Sequence, residues 1–454
     1  MRLFFLLACF LAATRVSAQR PQPNVVVIMA DDLDSRQLSC YGGKNIRTPN
    51  IDALASQGLK FNQIVASEAM CVPTRASLFT GLYPARHGSF QNHKPVYNNL
   101  KSICHYMGDL GYDVALTGKD HSTKPRHVFP FRIIGGFEPN CVAETDDYSA
   151  DSLKNYISGQ SKPFCLFVMS INPHTPWTVG DPSEFDPDKL ILPPHWVDTK
   201  QIRKLFTRYL AEIRRLDDQV GAVMKTLKES GKDKNTVVIF LGEQGAQFPG
   251  AKWNLYDAGQ KSSMIVRWPE NVRAASETDA IVQYEDIMPT LVDLAGGKPV
   301  AGIDGKSFAP VLKGEAKTAR TYAFGIHNNI PEGPPYPMRS IRTTQYKLIW
   351  NLTPEKKNHI KYMMNPKNTD SYWSHWNQLA VNDAHAKTLV RRITNRPEFE
   401  FYDLKNDPYE LHNLAADPAR QHLMATYKTA LRHWMDQQQD KGAALDIVYE
   451  KKAR

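Results

Sequence analysis

Four places in the chain put side chains capable of chemistry directly after a short apolar run. Asp31-Asp32 follows VVVIMA, Glu243-Gln244 follows TVVIFLG, Lys119 and His121 follow VALTG, and His174 stands in NPHTPW after FCLFVMSI. Asp31, Asp32, Glu243 and Gln244 offer only oxygen donors. That set suits a hard cation, Ca2+ or Mg2+, rather than zinc. Three carboxylates on one divalent ion leave net negative charge, which Arg75, Lys119, Lys252 and the two histidines would offset. A metal with several cations in one cleft suits the stabilisation of charge on a transferring anionic group.

The elements that must position these groups are legible in the same runs. Val25–Ala30, Val114–Thr117, Phe164–Ile171, Thr236–Leu241 and Met264–Trp268 are apolar on both faces, as buried strands of a largely parallel sheet are. Ile202, Phe206, Tyr209, Ile213, Leu216, Val220, Val223 and Leu227 recur every three or four residues and predict a long amphipathic helix. Arg203, Lys204, Arg208, Arg214 and Arg215 form its expected wet face. Thr48–Leu59 and Tyr284–Ala295 read as further helices. Alternating strands and helices predict a doubly wound α/β domain, with ligands gathered beyond the carboxyl ends of the strands. From about residue 316 the pattern changes. YAFGIH, SIRTTQYKLIWNL and FEFYDL read as antiparallel strands and Gln421–Gln438 as a last helix, a smaller α+β subdomain over 316–454.

The first 18 residues carry Arg2, the apolar run LFFLLACFLAA and small residues ending at Ala18, the order of a cleavable export signal. The chain is therefore expected to be periplasmic or secreted, with a catalytic domain over 19–315. No later run reaches about 18 apolar residues, so no membrane span is expected. The formal charge of +9 favours a polyanionic partner; no nucleic-acid partner is expected. Export permits disulfides among Cys40, Cys104, Cys141 and Cys165, whose pairing, or freedom, the sequence leaves open.

Cys71-Val72-Pro73-Thr74-Arg75, followed by Ala76-Ser77-Leu78-Phe79-Thr80-Gly81, resembles the Cys-x-Pro-x-Arg signature of the type I sulfatases. The other family blocks stand in family order from Asn24 to Phe401-Tyr402-Asp403-Leu404-Lys405-Asn406-Asp407-Pro408. The resemblance implies an alkaline-phosphatase-like sandwich: a large, mostly parallel sheet between helices, plus a small antiparallel subdomain. It also implies that a dedicated maturation enzyme oxidises Cys71 to formylglycine, whose hydrate is both nucleophile and, through one oxygen, a metal ligand. Asp31, Asp32, Glu243 and Gln244 match the remaining ligand positions, although the family usually has Asp followed by Asn or His at the second pair. Arg75 matches the residue that polarises the formylglycine hydrate. Lys119, His121 and Lys252 match those that grip sulfate oxygens, and His174 the proton donor to the leaving group, a role suited to an imidazole near its ordinary pKa of about 6.5.

Within the family, Phe248-Pro249, Asn254-Leu255-Tyr256, Tyr336-Pro337-Met338-Arg339-Ser340 and Asn351-Leu352 resemble the heparan N-sulfatases, although Lys252 stands where those have arginine. The expected substrate is a sulfated saccharide, either N-sulfoglucosamine or an O-sulfated algal sugar of the ulvan or carrageenan kind. His327 and Arg339, from the smaller subdomain, are candidates for a sugar-binding wall, against the alternative of a structural Arg339 within the antiparallel sheet. A phosphatase or phosphonate hydrolase is the competing enzyme. Its two-zinc form needs a histidine-rich ligand set and an Asp-x-x-x-His run, which does not follow Asp31-Asp32. A non-catalytic binder of sulfated glycans is the reading from another class, and it requires Cys71 to remain a thiol.

Overall fold

Apolar runs buried on both faces form the centre of an eight-stranded sheet. The computed structural model describes residues 22–139, 149–365 and 371–444; the expected leader at 1–18, with Cys9, and Cys141 lie outside them. In chain order the strands are β1 Asn24–Ala30, β2 Leu59–Phe61, β3 Ile64–Val65, β4 Asp113–Gly118, β5 Arg132–Ile133, β6 Phe164–Met169 and β7 Thr236–Gly242. They continue with β8 Met264–Arg267, β9 Ser276–Thr278, β10 Val282–Gln283, β11 Ala323–His327, β12 Met338–Arg342, β13 Tyr346–Asn351 and β14 Phe399–Asp403. The large sheet has the order β5-β4-β6-β1-β7-β8-β2-β9. Strands β4, β6, β1 and β7 are adjacent and parallel, so the four reactive strand ends lie side by side on one rim.

Helices cover both faces. The predicted long helix spans Lys200–Glu229, with Thr199 capping it by accepting from the Ile202 N–H. Its apolar stripe packs on one sheet face and the Ile287–Leu294 helix on the other. The helix expected over Thr48–Leu59 is shorter, Pro49–Ser56, because Leu59 opens β2. Asp217 of the long helix accepts from the N–H groups of Asn50 and Ile51, at 3.1 and 2.8 Å, and so caps that helix from outside.

The strands expected after residue 316 form a four-stranded antiparallel sheet, β11-β12-β13-β14. Met424, Tyr427, Leu431, Trp434 and Met435 of the Gln421–Gln437 helix cover one face. The other face meets Leu255 and Tyr256 of the large domain. Both faces of β12 are therefore buried. Buried ion pairs tie the small sheet to the large domain: Asp257, at the start of the short helix Asp257–Gln260, meets Arg342 at 2.6 Å and Lys347 at 2.5 Å. Among the described residues Cys40, Cys71, Cys104 and Cys165 are free thiols, and no helix is long and apolar enough to cross a membrane.

His87 is wholly buried behind the helix Cys71–Thr80, which carries the Cys-x-Pro-x-Arg signature. The Ser89 N–H donates to its Nδ1 at 3.1 Å, so a second ring proton would break that bond. Burial pushes His87 down to about 3, and does the same to His327. The unfolded chain, with histidine near 6.5, binds these protons first. Stability is therefore complete above about pH 6.5 and is lost as pH falls toward 3, by about 1.4 kcal/mol per pH unit for each such histidine. Urea unfolding at pH 7, 6 and 5 should show this slope, and His87→Gln should remove one histidine's share of it. An unchanged slope in the variant would contradict the assignment.

Candidate active site

Residue 71 opens the helix Cys71–Thr80, every residue of which is buried. One turn later Arg75 lies on the same helix face as Cys71. Arg75 Nε reaches Glu243 Oε1 at 2.5 Å, Nη1 donates to the Lys119 carbonyl at 3.2 Å, and Nη2 lies 3.7 Å from Asp31 Oδ2. Lys119 Nζ pairs with Asp31 Oδ2, and Lys252 Nζ with Asp32 Oδ2 at 2.6 Å. Lys119 can leave β4 at this angle because Gly118 precedes it. Gly118 has φ +85°, and a Cβ there would lie 2.1 Å from the Met169 carbonyl oxygen. Asp32 also adopts a left-handed backbone, with φ 56°, a strained choice found at functional sites.

The aspartate oxygens not held by lysine face residue 71. Asp31 Oδ1 lies 3.6 Å from Cys71 Sγ, and Gln244 Nε2 is 3.5 Å from the same sulfur and 2.7 Å from Asp32 Oδ1. Donor atoms of Asp31, Asp32, Cys71 and His174 all lie within 4.8 Å of one another. Gln244 Oε1 is buried and makes no hydrogen bond. An orphaned amide oxygen on the residue whose Nε2 bridges Asp32 and Glu243, in a cluster where oxygen donors outnumber the one histidine nitrogen among the described residues, fits a hard divalent cation. The extra methylenes of Glu243 and Gln244 are accommodated by anchoring. Glu243 holds Arg75 with one oxygen and accepts from Gln244 Nε2 with the other at 3.1 Å.

The electrostatics follow from burial. Burial alone would raise Asp31, but Lys119, His174, Glu243 and Arg75 hold it well below the usual carboxylate range. Burial pushes Glu243 up to about 8 against the pull of Arg75. Burial, with Asp31 and Glu243, holds the Cys71 thiol well above its ordinary value. A thiolate nucleophile is thereby disfavoured. His174, expected near 6.5, is driven well below it by burial and by Lys119 and Lys252. Its Nδ1 donates to the Thr175 carbonyl at 2.5 Å, which leaves Nε2 facing Asp32 Oδ2 at 3.6 Å.

His174 is held in place by the long helix. Glu212, wholly buried, accepts from the Thr178 N–H at 2.8 Å and from Asn172 Nδ2 at 3.1 Å. Gln219 Nε2 donates to Asn172 Oδ1 at 3.1 Å. The loop bearing His174 is thus fixed on both sides.

Cys71, His121, His174 and Lys252 line a cleft of about 400 Å³, together with Asn92, His93, Gln247, Trp253, Glu332 and Tyr362, which the sequence reading did not single out. These six come from irregular loops without a periodic signal. His93 sits 2.8 Å from His121, and burial, Lys119 and His93 push His121 down to about 2. Two expectations are corrected. Arg339 is fully buried on the helix-covered face of β12, bound to Asp440 through Nε and, at 2.8 Å, through Nη2. His327 is equally buried at the end of β11, 3.1 Å from Asn329 Oδ1. Neither lines the cleft. Trp177 is also buried, stacked on Phe248.

Residues 23–297 match the family model described as Sulfatase. The chain belongs to the sulfatase family. Residues 250–395 also match a model for the C-terminal region of N-sulphoglucosamine sulphohydrolase. The sulfatase is 31% identical over 427 residues to an ulvan-active sulfatase of Formosa agariphila, covering 93% of this chain and 82% of the relative. It is 27% identical to human N-sulphoglucosamine sulphohydrolase, covering 95% and 94%. A solved structure in complex with its substrate D-glucosamine-2-N,6-O-disulfate superposes with TM-score 0.73 at 20% identity, over 92% and 99% of the two chains. Phosphonate monoester hydrolase of Agrobacterium radiobacter has the same fold, with TM-score 0.70 at 20% identity over 92% and 96%. Fold alone does not separate sulfuryl from phosphoryl transfer; the family does, and the sulfatase is a sulfuric ester hydrolase.

If the carboxylate cluster holds a cation, adding Ca2+ at 100 times its Kd to chelated protein should stabilise it by about 2.7 kcal/mol. Differential scanning fluorimetry should show the shift, and Asp32→Ala should abolish it. An equal shift in the variant would place the ion elsewhere.

Proposed function

We propose that this sulfatase hydrolyses the sulfate ester or sulfamate of a saccharide, using formylglycine at position 71 and one bound Ca2+. The observation that carries the reading is the position of residue 71. It stands between Asp31 Oδ1 and Gln244 and opens onto the cleft that His121, His174 and Lys252 line. Formylglycine at position 71 would supply a hydrated aldehyde, with one hydroxyl as a nucleophile for sulfur in place of the leaving alcohol or amine and the other as the group whose deprotonation would expel sulfate and re-form the aldehyde. Asp31, Asp32, Glu243, Gln244 and residue 71 would hold Ca2+, which would supply positive charge favouring ionisation of a hydroxyl at residue 71.

The other side chains act around that centre. Lys119, Lys252 and His121 hold the sulfate oxygens, and the two lysines neutralise the charge that builds there. Arg75, fixed by Glu243, orients residue 71. Burial and the two lysines keep His174 neutral, and the negative charge of a bound sulfate counters the lysines' part of that, which favours proton uptake by the imidazole as substrate binds. Nε2, the nitrogen facing the cleft, then delivers that proton to the leaving group.

Residue 71 and Arg75 are each 1% exposed, so a maturation enzyme must reach the segment before it folds. This agrees with export of an unfolded chain behind the apolar leader, to the periplasm or beyond. The match at 250–395 favours N-sulfoglucosamine in a heparan-type glycan. The ulvan-active relative supports the second reading, an O-sulfate of an algal polysaccharide. A panel of N- and O-sulfated glucosamines and ulvan oligosaccharides decides between them by sulfate release.

The peptide containing residue 71, from active protein, should be lighter than the thiol form by about 18 Da, one sulfur and two hydrogens exchanged for one oxygen. Cys71→Ala should fold and lose turnover. An active protein with the thiol intact would contradict the mechanism. His174→Ala should reduce hydrolysis of saccharide sulfates by roughly 10²–10⁴-fold and of activated aryl sulfates far less. Equal losses on both would remove its acid role.

A further inference from the structure

Beside the catalytic cleft lies a second cavity of about 470 Å³. Thr175, Pro176, Gln247 and Tyr362 line both. Thr175 Oγ1 donates to Gln247 Oε1 at 2.8 Å along this shared wall. The two cavities therefore form one groove. Lys204 and Arg208, one turn apart on the Lys200–Glu229 helix, face into the outer part.

On sequence these two belong to a merely solvated helix face. The structure separates them from their neighbours. Arg203 pairs with Asp198 at 2.6 Å and Arg214 with Glu184 at 3.6 Å. The Lys204 and Arg208 side chains have no carboxylate or hydrogen-bond partner among the described residues, and among those residues no acidic side chain lines their cavity. Like charges four residues apart on a helix repel, so the pair does not serve helix stability. An anion between them would relieve the repulsion. At the junction of the two cavities stands Tyr362, 61% exposed and stacked on Trp253 with 6.2 Å between ring centroids. An exposed aromatic ring on a rigid neighbour is a suitable platform for the apolar face of a sugar.

We propose that the outer cavity is a subsite for a second residue of an oligosaccharide substrate. Its anionic substituent, sulfate or carboxylate, is held by Lys204 and Arg208, and Tyr362 packs against the sugar between the two cavities. The proposal rests on the saccharide-sulfate reading above and gives it a preference for charged oligomers over single sugars.

The test reads binding, so it does not depend on turnover. Calorimetry on the full Ca2+-loaded protein would use heparin-derived and ulvan-derived tetrasaccharides, each also in desulfated and in carboxyl-reduced form. Lys204→Ala/Arg208→Ala should weaken at least one tetrasaccharide by roughly ten- to a hundredfold and leave inorganic sulfate binding unchanged. The desulfated and carboxyl-reduced forms identify which anion is read, because removing the right one should abolish the difference between wild type and variant. Lys225→Ala/Lys228→Ala removes the same charge further along the helix and should have no effect. The subsite is overturned if neither tetrasaccharide binds the wild type, if the first variant binds both as well as wild type, or if the two variants lose affinity equally.

Discussion

Six ionisable side chains around residue 71 are out of contact with water: Asp31, Asp32, Glu243, Arg75, Lys119 and Lys252 are each at most 2% exposed. Burying one charge costs several kcal/mol even after relaxation, and only close opposite charge offsets it. Three acids and three bases in mutual contact meet that condition. A core of apolar side chains would be at least as stable, so the cluster makes sense as a preorganised field rather than as a stabilising device. The elements around the cluster bring these six side chains to one rim of the sheet.

Rigidity comes from elements the cluster does not share. Strands β1 and β7 pair along seven residues and set Asp31-Asp32 beside Glu243-Gln244. The signature helix is buried on all sides and fixes residue 71 and Arg75 by one turn of backbone. Glu212 and Gln219, from the long helix, tie the loop of His174 through its backbone and through Asn172. Each reactive group thus sits at the end of a regular element or in a loop bonded to one. The backbone positions are thus set before reaction, and what is left to move is the lysine side chains.

What was legible in the sequence follows from the same logic. Buried parallel strands are apolar on both faces, so β1, β4, β6, β7 and β8 were visible as runs, and polar residues at their ends marked the rim. The long helix showed its period over 26 residues, from Ile202 to Leu227. Short pairings such as β3 with β10, two residues each, have no pattern of their own. Asn92, His93, Glu332 and Tyr362 reach the cleft from loops whose path depends on tertiary packing. Arg339 and His327 were candidates for a sugar wall only as polar residues of the smaller subdomain, and the alternative of a structural Arg339 within the sheet is the one the burial favours. Here the Gln421–Gln437 helix and the large domain cover both faces of that sheet, and Asp440 satisfies Arg339.

The central claim is that the buried carboxylates hold a cation and that the lysines belong to the sulfate. A crystal structure of the mature protein grown with Ca2+ and sulfate tests it most directly. An anomalous peak should lie in contact with Gln244 Oε1 and the Oδ1 atoms of Asp31 and Asp32, with Lys119 and Lys252 turned onto the sulfate oxygens. An active protein whose lysines remain on Asp31 and Asp32, with water alone beside Gln244, would contradict the account.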